Sequence, residues 1–388
     1  MKKFPAFIFL LFFPATFLLP LISKAQAGMW TWISGSNVHG ASAVHGTQGV
    51  PSGLNHPAAQ YEQNQWKDKQ GNLWLYGGMY PSIDDMWKYN PFTNEWTWMR
   101  GTGTATAPVY GTMGVSDPAN YPGVREFGAA TWTDTSGNLW LFGGNPLSVL
   151  FVNDLWKYDI STNEWTWVNG SNTSQIGAHG TQGIPGPLVQ PGGRNEAYAN
   201  WVDEDNNLWL YGGLGWDDFG FTGNLSDLMK YNISTNEWTW MKGANTPSSP
   251  PIFGTMGISS PSNEPGARIT TSIWKDLQGN FWLFGGSDNP GHRNDLWKYD
   301  PLLNEWTWMR GPDTIYDPGS YQSNCIYDSI NWPEARYESR ASVTDYCGNF
   351  WMFGGNSPAG KRNDLWVFNP QLLQWNWVCG SSLTSQPG

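Results

Sequence analysis

Beyond residue 22 the chain has no apolar run approaching the roughly 18 residues a membrane helix needs, so no later segment is expected to span a bilayer that way. Charge is scarce: 14% of the 388 residues are ionised, and 21 Lys and Arg stand against 32 Asp and Glu. A net charge of −11 argues against nucleic acid and acidic membrane surfaces as partners. Three cysteines leave room for one intramolecular bridge at most, and five histidines offer little for metal chemistry. No stretch shows helical periodicity. Glycine (46), proline (27) and tryptophan (27) are abundant instead, a mixture suited to tight turns and stacked flat side chains.

The chain begins Met1-Lys2-Lys3, continues with an apolar stretch over residues 4–22, and reaches Ala25-Gln26-Ala27. A basic start, an apolar centre and a small-x-small exit form a secretory signal peptide over residues 1–27, with cleavage expected after Ala27. Export to the periplasm, the outer surface or the medium follows.

Five copies of one unit occupy the rest. They read GNLWLYGG, GNLWLFGG, NNLWLYGG, GNFWLFGG and GNFWMFGG, each followed by a variant of N-D-L-W-K-Y and then of N-E-W-T-W. Their second glycines are Gly78, Gly144, Gly213, Gly286 and Gly355, a spacing of 66 to 73 residues. In the second copy, strand a covers about 125–133, b 139–142, c 154–158 and d 164–168, with turns rich in Gly, Asn and Asp between them. Each copy is thus a four-stranded antiparallel sheet, and five of them make an all-β repeat protein. Strands are expected over about 60–99, 125–168, 194–241, 268–309 and 336–379.

The tryptophans follow the same register. Strand a carries Trp66, Trp132, Trp201 and Trp274, with Val343 in the fifth copy; every strand b has one, and strand d holds a W-x-W pair whose rings share a face. Packing between sheets explains nearly all of them. Trp216 and Trp332 fall outside the register.

The Gly-Gly ending strand b, the aromatic on strand c and the Trp on strand d resemble kelch repeats, the family that includes the central domain of galactose oxidase and many bacterial secreted propellers. The resemblance implies a kelch-type β-propeller over residues 28–388 with five complete blades. Residues 29–33 match strand d with no strands a to c before them, so they are expected to be the outer strand of a sixth, incomplete blade. Residues 380–388 resemble the opening of a d–a loop such as 170–175, as though strands of a longer chain followed.

Short a–b and c–d turns fall on one face, while the long b–c and d–a connections fall on the other, where binding is expected. The loop over 214–219 supplies Trp216, Asp217 and Asp218 as ligand-contact candidates, an aromatic plane beside two carboxylates suiting a sugar ring. Trp332 lies in the divergent fifth d–a loop. Arg125, Arg194, Arg268 and Arg336 open strand a near the axis; they are candidates for anion binding, set against the alternative that each pairs within its own blade. His45 and His179 share a loop position with Tyr110 and Phe253, which marks them as planar fillers. The turn over 203–207 is a hairpin, since its counterparts lack the acids of a calcium loop. Cys325 and Cys379 lie on the same face and are the candidate disulfide, with Cys347 left free.

The resemblance also raises a galactose oxidase-like oxidase, which needs two His, two Tyr and a Cys crosslinked to Tyr. None of these can be placed here, so no catalytic residue, metal or cofactor is assigned. The expected role is a monomeric binding or scaffold module for a glycan or an extracellular or envelope protein.

Overall fold

The computed structural model describes residues 30–147 and 149–385, and the expected signal peptide lies outside the described residues. Among the described residues every element is a strand, and the strands form five antiparallel sheets. The first blade is β1 (Asn64–Lys67), β2 (Leu73–Tyr76), β3 (Met86–Asn90) and β4 (Glu95–Arg100). The second is β5 (Ala130–Thr133), β6 (Leu139–Phe142), β7 (Leu155–Asp159) and β8 (Glu164–Asn169). The third adds the short β9 (Arg194–Asn195) to β10 (Ala199–Val202), β11 (Leu208–Trp216), β12 (Thr222–Asn232) and β13 (Glu237–Lys242). Next come β14 (Ser272–Lys275), β15 (Phe281–Ser287), β16 (His292–Asp300) and β17 (Glu305–Arg310), then β18 (Ala341–Thr344), β19 (Phe350–Ser357), β20 (Gly360–Asn369) and β21 (Gln374–Cys379). In each blade the a, b, c and d strands pair in sequence order, and the five a strands line a central channel of about 410 Å³.

The turns explain the repeated letters. In the first a–b turn Asp68 accepts the backbone N–H of Gln70 and Asn72 and the indole N–H of Trp74, the last at 2.8 Å. Asp134, Asp203, Asp276 and Asp345 hold their own strand-b indoles in the same way. In the c–d turns Asn94, Asn163, Asn236 and Asn304 adopt positive φ, which asparagine tolerates better than most side chains. Each accepts a hydrogen bond from its blade's strand-c tyrosine, as in Tyr231 to Asn236 at 2.6 Å.

Strand a begins later than the sequence suggests. Two residues after the opening Gln or Arg, the backbone at Glu62, Phe127, Glu196, Thr270 and Glu338 takes φ of 50 to 56°. No β-ladder continues through that left-handed conformation, so the four-residue strand-a ladders start beyond it, and in the third blade the short β9 pairs with β11 ahead of it as a separate piece.

Between successive blades lie four apolar cores of one design. One blade contributes its a and b tryptophans and the next contributes alternate strand-b residues, the aromatics of strand c and the first tryptophan of strand d. Strand-a indoles also cross the boundary: Trp66 donates to the carbonyl of Trp140 and Trp132 to that of Trp209, both at 2.9 Å. A second tie joins the N–H of Gly78, Gly144, Gly213 and Gly286 to the carbonyls of Arg125, Arg194, Arg268 and Arg336.

The expected outer strand over 29–33 is not formed. Residues 30–33 have no ladder partner, because no strand c lies beside them, and Trp30, Trp32 and Ile33 are largely exposed. Met29 lies outside the described residues.

Candidate functional site

The four arginines are turned into the protein. Arg194 is fully buried: Nη1 and Nη2 donate to the two oxygens of Asp227 at 2.6 and 2.7 Å, Nη1 also reaches the Gly212 carbonyl, and Nε reaches the Gly192 carbonyl. Arg125 with Asp154, Arg268 with Asp295 and Arg336 with Asp364 repeat the arrangement. Such forks lock the start of strand a to the start of strand c and leave no guanidinium of this set for an anion at the opening. In the first blade Gln60 replaces the arginine, and Asp85 pairs with His45 Nε2 at 2.6 Å.

The planar fillers are part of the same network. Tyr110, His179, Phe253 and Tyr321 each pack against the second tryptophan of their blade's strand d. Tyr110, His179 and Tyr321 also hydrogen-bond the buried aspartate that the arginine holds. His179 is held twice, by Asp227 at Nε2 (2.9 Å) and by Asp218 at Nδ1 (2.5 Å). Burial opposes its charge, but the two carboxylates outweigh burial and push its pKa up to about 9. Burial likewise works to raise Asp227, yet Arg194 and His179 hold it well below the usual carboxylate range. Because the folded pKa of His179 exceeds its unfolded value of about 6.5, its contribution is complete below pH 6.5 and disappears as pH rises through 9. The stability advantage of the native protein over His179→Phe, the residue present at position 253, is therefore expected to shrink by about 3 kcal/mol between pH 6 and 10. Urea titrations of both proteins across that range check it.

Residues 214–216 of the expected loop extend β11 and pair with β12, so the tip of this hairpin is 217–221. Asp217 is buried and uses Oδ1 to accept the N–H groups of Phe219 and Phe221, which makes it the turn's anchor. Asp218 is held by His179 and Asn245. Trp216 is half-buried, donating from Nε1 to Ser174 Oγ at 2.9 Å with its ring edge against Phe151. With both carboxylates anchored inside, the tip presents Phe219 and Phe221 instead, 63% and 66% exposed. The b–c connections of the first two blades present Tyr80 and Leu150 on the same face, at 76% and 64%. Trp332 does not join this group; its indole donates to Asp317 inside its own loop. The expected Cys325–Cys379 bridge is also absent: all three thiols are free, and Cys325 Sγ donates to Asn324 and to the Val378 carbonyl.

At the mouth of the channel the left-handed residues bring three carboxylates together. Glu196 is pushed up to about 7, first by burial and then by the charges of Glu62 and Glu338, against the opposing Arg340. Burial likewise raises Glu62, with Arg340 pulling the other way. Arg340 lies 3.9 Å from the ring centre of Tyr198 and donates to the Gln63 carbonyl at 2.7 Å. Sequence reasoning missed this cluster. Its signal was available, since the position two after the opening Gln or Arg is Glu, Phe, Glu, Thr and Glu in the five copies, variation that the shared backbone turn does not require.

No family model matches the chain. Among curated proteins it is 25% identical over 249 residues to Kelch domain-containing protein 10 of Xenopus tropicalis, covering 62% of this chain and 47% of that protein. It is 24% identical over 250 residues to the human protein of that name, covering 62% and 44%. Tip elongation aberrant protein 3 of Schizosaccharomyces pombe matches at 26% over 186 residues, 45% of this chain and 15% of that one. The chain thus spans less than half the length of the curated relatives it matches.

Proposed function

Since this chain is a kelch-repeat β-propeller, a scaffold that generally acts as a binding or assembly module, we propose that it is an exported, monomeric binding module for a glycan or glycan-bearing envelope protein. The observation that carries this reading is the row of exposed side chains, Tyr80, Leu150, Phe219 and Phe221, on the b–c connections of three successive blades. Flat rings held on a rigid frame stack against sugar faces at little entropic cost. The acidic chain selects against anionic sugars. Asp217 fixes the hairpin from within, so trimming its tip leaves the fold intact.

On a glycan array the Phe219→Ala/Phe221→Ala protein is expected to lose at least about tenfold in affinity, with an unchanged melting temperature; tenfold corresponds to about 1.4 kcal/mol. A blank array from folded native protein would transfer the role to a protein partner.

A further inference from the structure

The left-handed residue ahead of each strand a is fixed by its backbone, not by its side chain. The N–H of Glu196 donates to the Phe127 carbonyl at 2.8 Å, and that of Glu338 to the Thr270 carbonyl at 3.1 Å. Phe127 and Thr270 hold the same place in their own blades, so the turn itself needs no carboxylate. Three blades nevertheless carry one at the mouth of the channel, although ionised groups resist leaving water. Opposite them stands Arg340. The largest cleft, about 1190 Å³, separates the first blade from the fifth, and Arg340 crosses between the two at the axis to reach the Gln63 carbonyl. It is the one cation acting on Glu196 among the described residues, so the mouth keeps an excess of negative charge. The crowding that pushes Glu196 up to about 7 is what a further cation would relieve.

Two buried polar atoms point to the same spot. Tyr198 is 8% exposed and Glu62 6%; the tyrosine hydroxyl faces the glutamate, yet neither that hydroxyl nor Glu62 Oε2 completes a hydrogen bond. The hydroxyl stands where a side chain at Gly128 would otherwise lie. From the first blade the Tyr61 hydroxyl approaches Glu338, with much of the Tyr61 residue open to solvent. Buried polar atoms without partners cost a fold stability, and a ligand that supplies the partner removes that cost. Size and shape narrow the choice of ligand. Among the described residues no three carboxylate, histidine or cysteine groups sit close enough to share a metal ion. Acceptors reaching in from three blades suit the diverging N–H bonds of an ammonium, whereas a guanidinium presents a planar fork to a single carboxylate. Nearby aromatic faces add attraction for such a cation, as the ring of Tyr198 does for Arg340 at 3.9 Å.

We propose that the mouth of the channel binds the primary ammonium group of an amino sugar, seated between Glu62, Glu196 and Glu338. The Tyr198 hydroxyl accepts one of its N–H bonds, and the exposed Tyr61 ring takes the face of the sugar. The sugar part rests on the glycan-binding reading above. The ammonium site does not use the exposed row of Tyr80, Leu150, Phe219 and Phe221.

The test titrates the protein at pH 7 by calorimetry with a tetramer of β-1,4-linked glucosamine and with its fully N-acetylated counterpart. The free amine is expected to bind at least about tenfold more tightly. Glu62→Gln/Glu196→Gln is expected to abolish that preference. Glu204→Gln/Asp205→Asn, which removes the same charge from an exposed a–b turn on the opposite face, is expected to keep it. Melting curves check that both variants fold, and Glu196→Gln alone replaces the first pair if that pair melts early. No preference in the native protein, or one that survives the mouth substitutions, overturns the proposal. So does N-acetyl-lysine methylamide binding as tightly as the glucosamine tetramer, which would assign the site to a protein side chain. Equal binding of the two tetramers, lost in Phe219→Ala/Phe221→Ala, would sink the ammonium site and leave the glycan reading standing. A preference for the amine that Phe219→Ala/Phe221→Ala leaves intact upholds the site and moves sugar binding from the exposed row to the axis.

Discussion

Asp227→Ala is expected to destabilise the protein by about 3–5 kcal/mol, read as a fall in the urea midpoint followed by tryptophan fluorescence. The carboxylate carries two bonds from Arg194 and one from His179, and neither Asp227 nor Arg194 touches solvent appreciably. Removing it leaves a guanidinium charge in the interior with only the Gly212 and Gly192 carbonyls as partners, a far larger loss than the net worth of the intact pair. Asp205→Ala, in an exposed turn, is the control and is expected to change stability by no more than about 0.5 kcal/mol. If the two substitutions cost the same, the buried forks do not hold the strands together as described.

Trp238→Ala is expected to cost about 3–5 kcal/mol, while the equivalent Trp96→Ala costs about 1–2. The two occupy the same place in the repeat, the first tryptophan of strand d. Trp238 is enclosed by Phe142 of the preceding blade and Tyr231 of its own, and its loss leaves a cavity within a closed core. Trp96 rests on Tyr89 and Trp87 of its own blade and faces the open cleft, where water can fill what is lost. Differential scanning calorimetry on both variants measures the contrast. Equal losses would mean that the first blade is covered in solution.

The fold class, the number of complete blades and the order of strands were legible in the sequence, because each blade is specified locally. The aspartate of every a–b turn, the asparagine of most c–d turns and the alternating aromatics lie within a few residues of the groups they hold, so their spacing repeats. Even the replacement of Asn by Leu373 goes with the loss of its tyrosine partner, which is Phe368 in the fifth copy.

What the tertiary structure decided is where side chains of equal chemistry end up. An arginine that opens strand a reads the same whether it faces the channel or an aspartate about 30 residues later, and only folding showed that all four take the aspartate. Asp217 and Asp218 look like a ligand pair in one dimension, yet one anchors a turn and the other holds a histidine 39 residues away. The carboxylates of Glu62, Glu196 and Glu338 meet only because a ring brings the inner ends of alternate blades to one axis. Local pattern determines a blade through contacts between near neighbours in the chain; contacts between residues 60 to 280 positions apart, which make the mouth and the open cleft, exist only once the blades are arranged around each other.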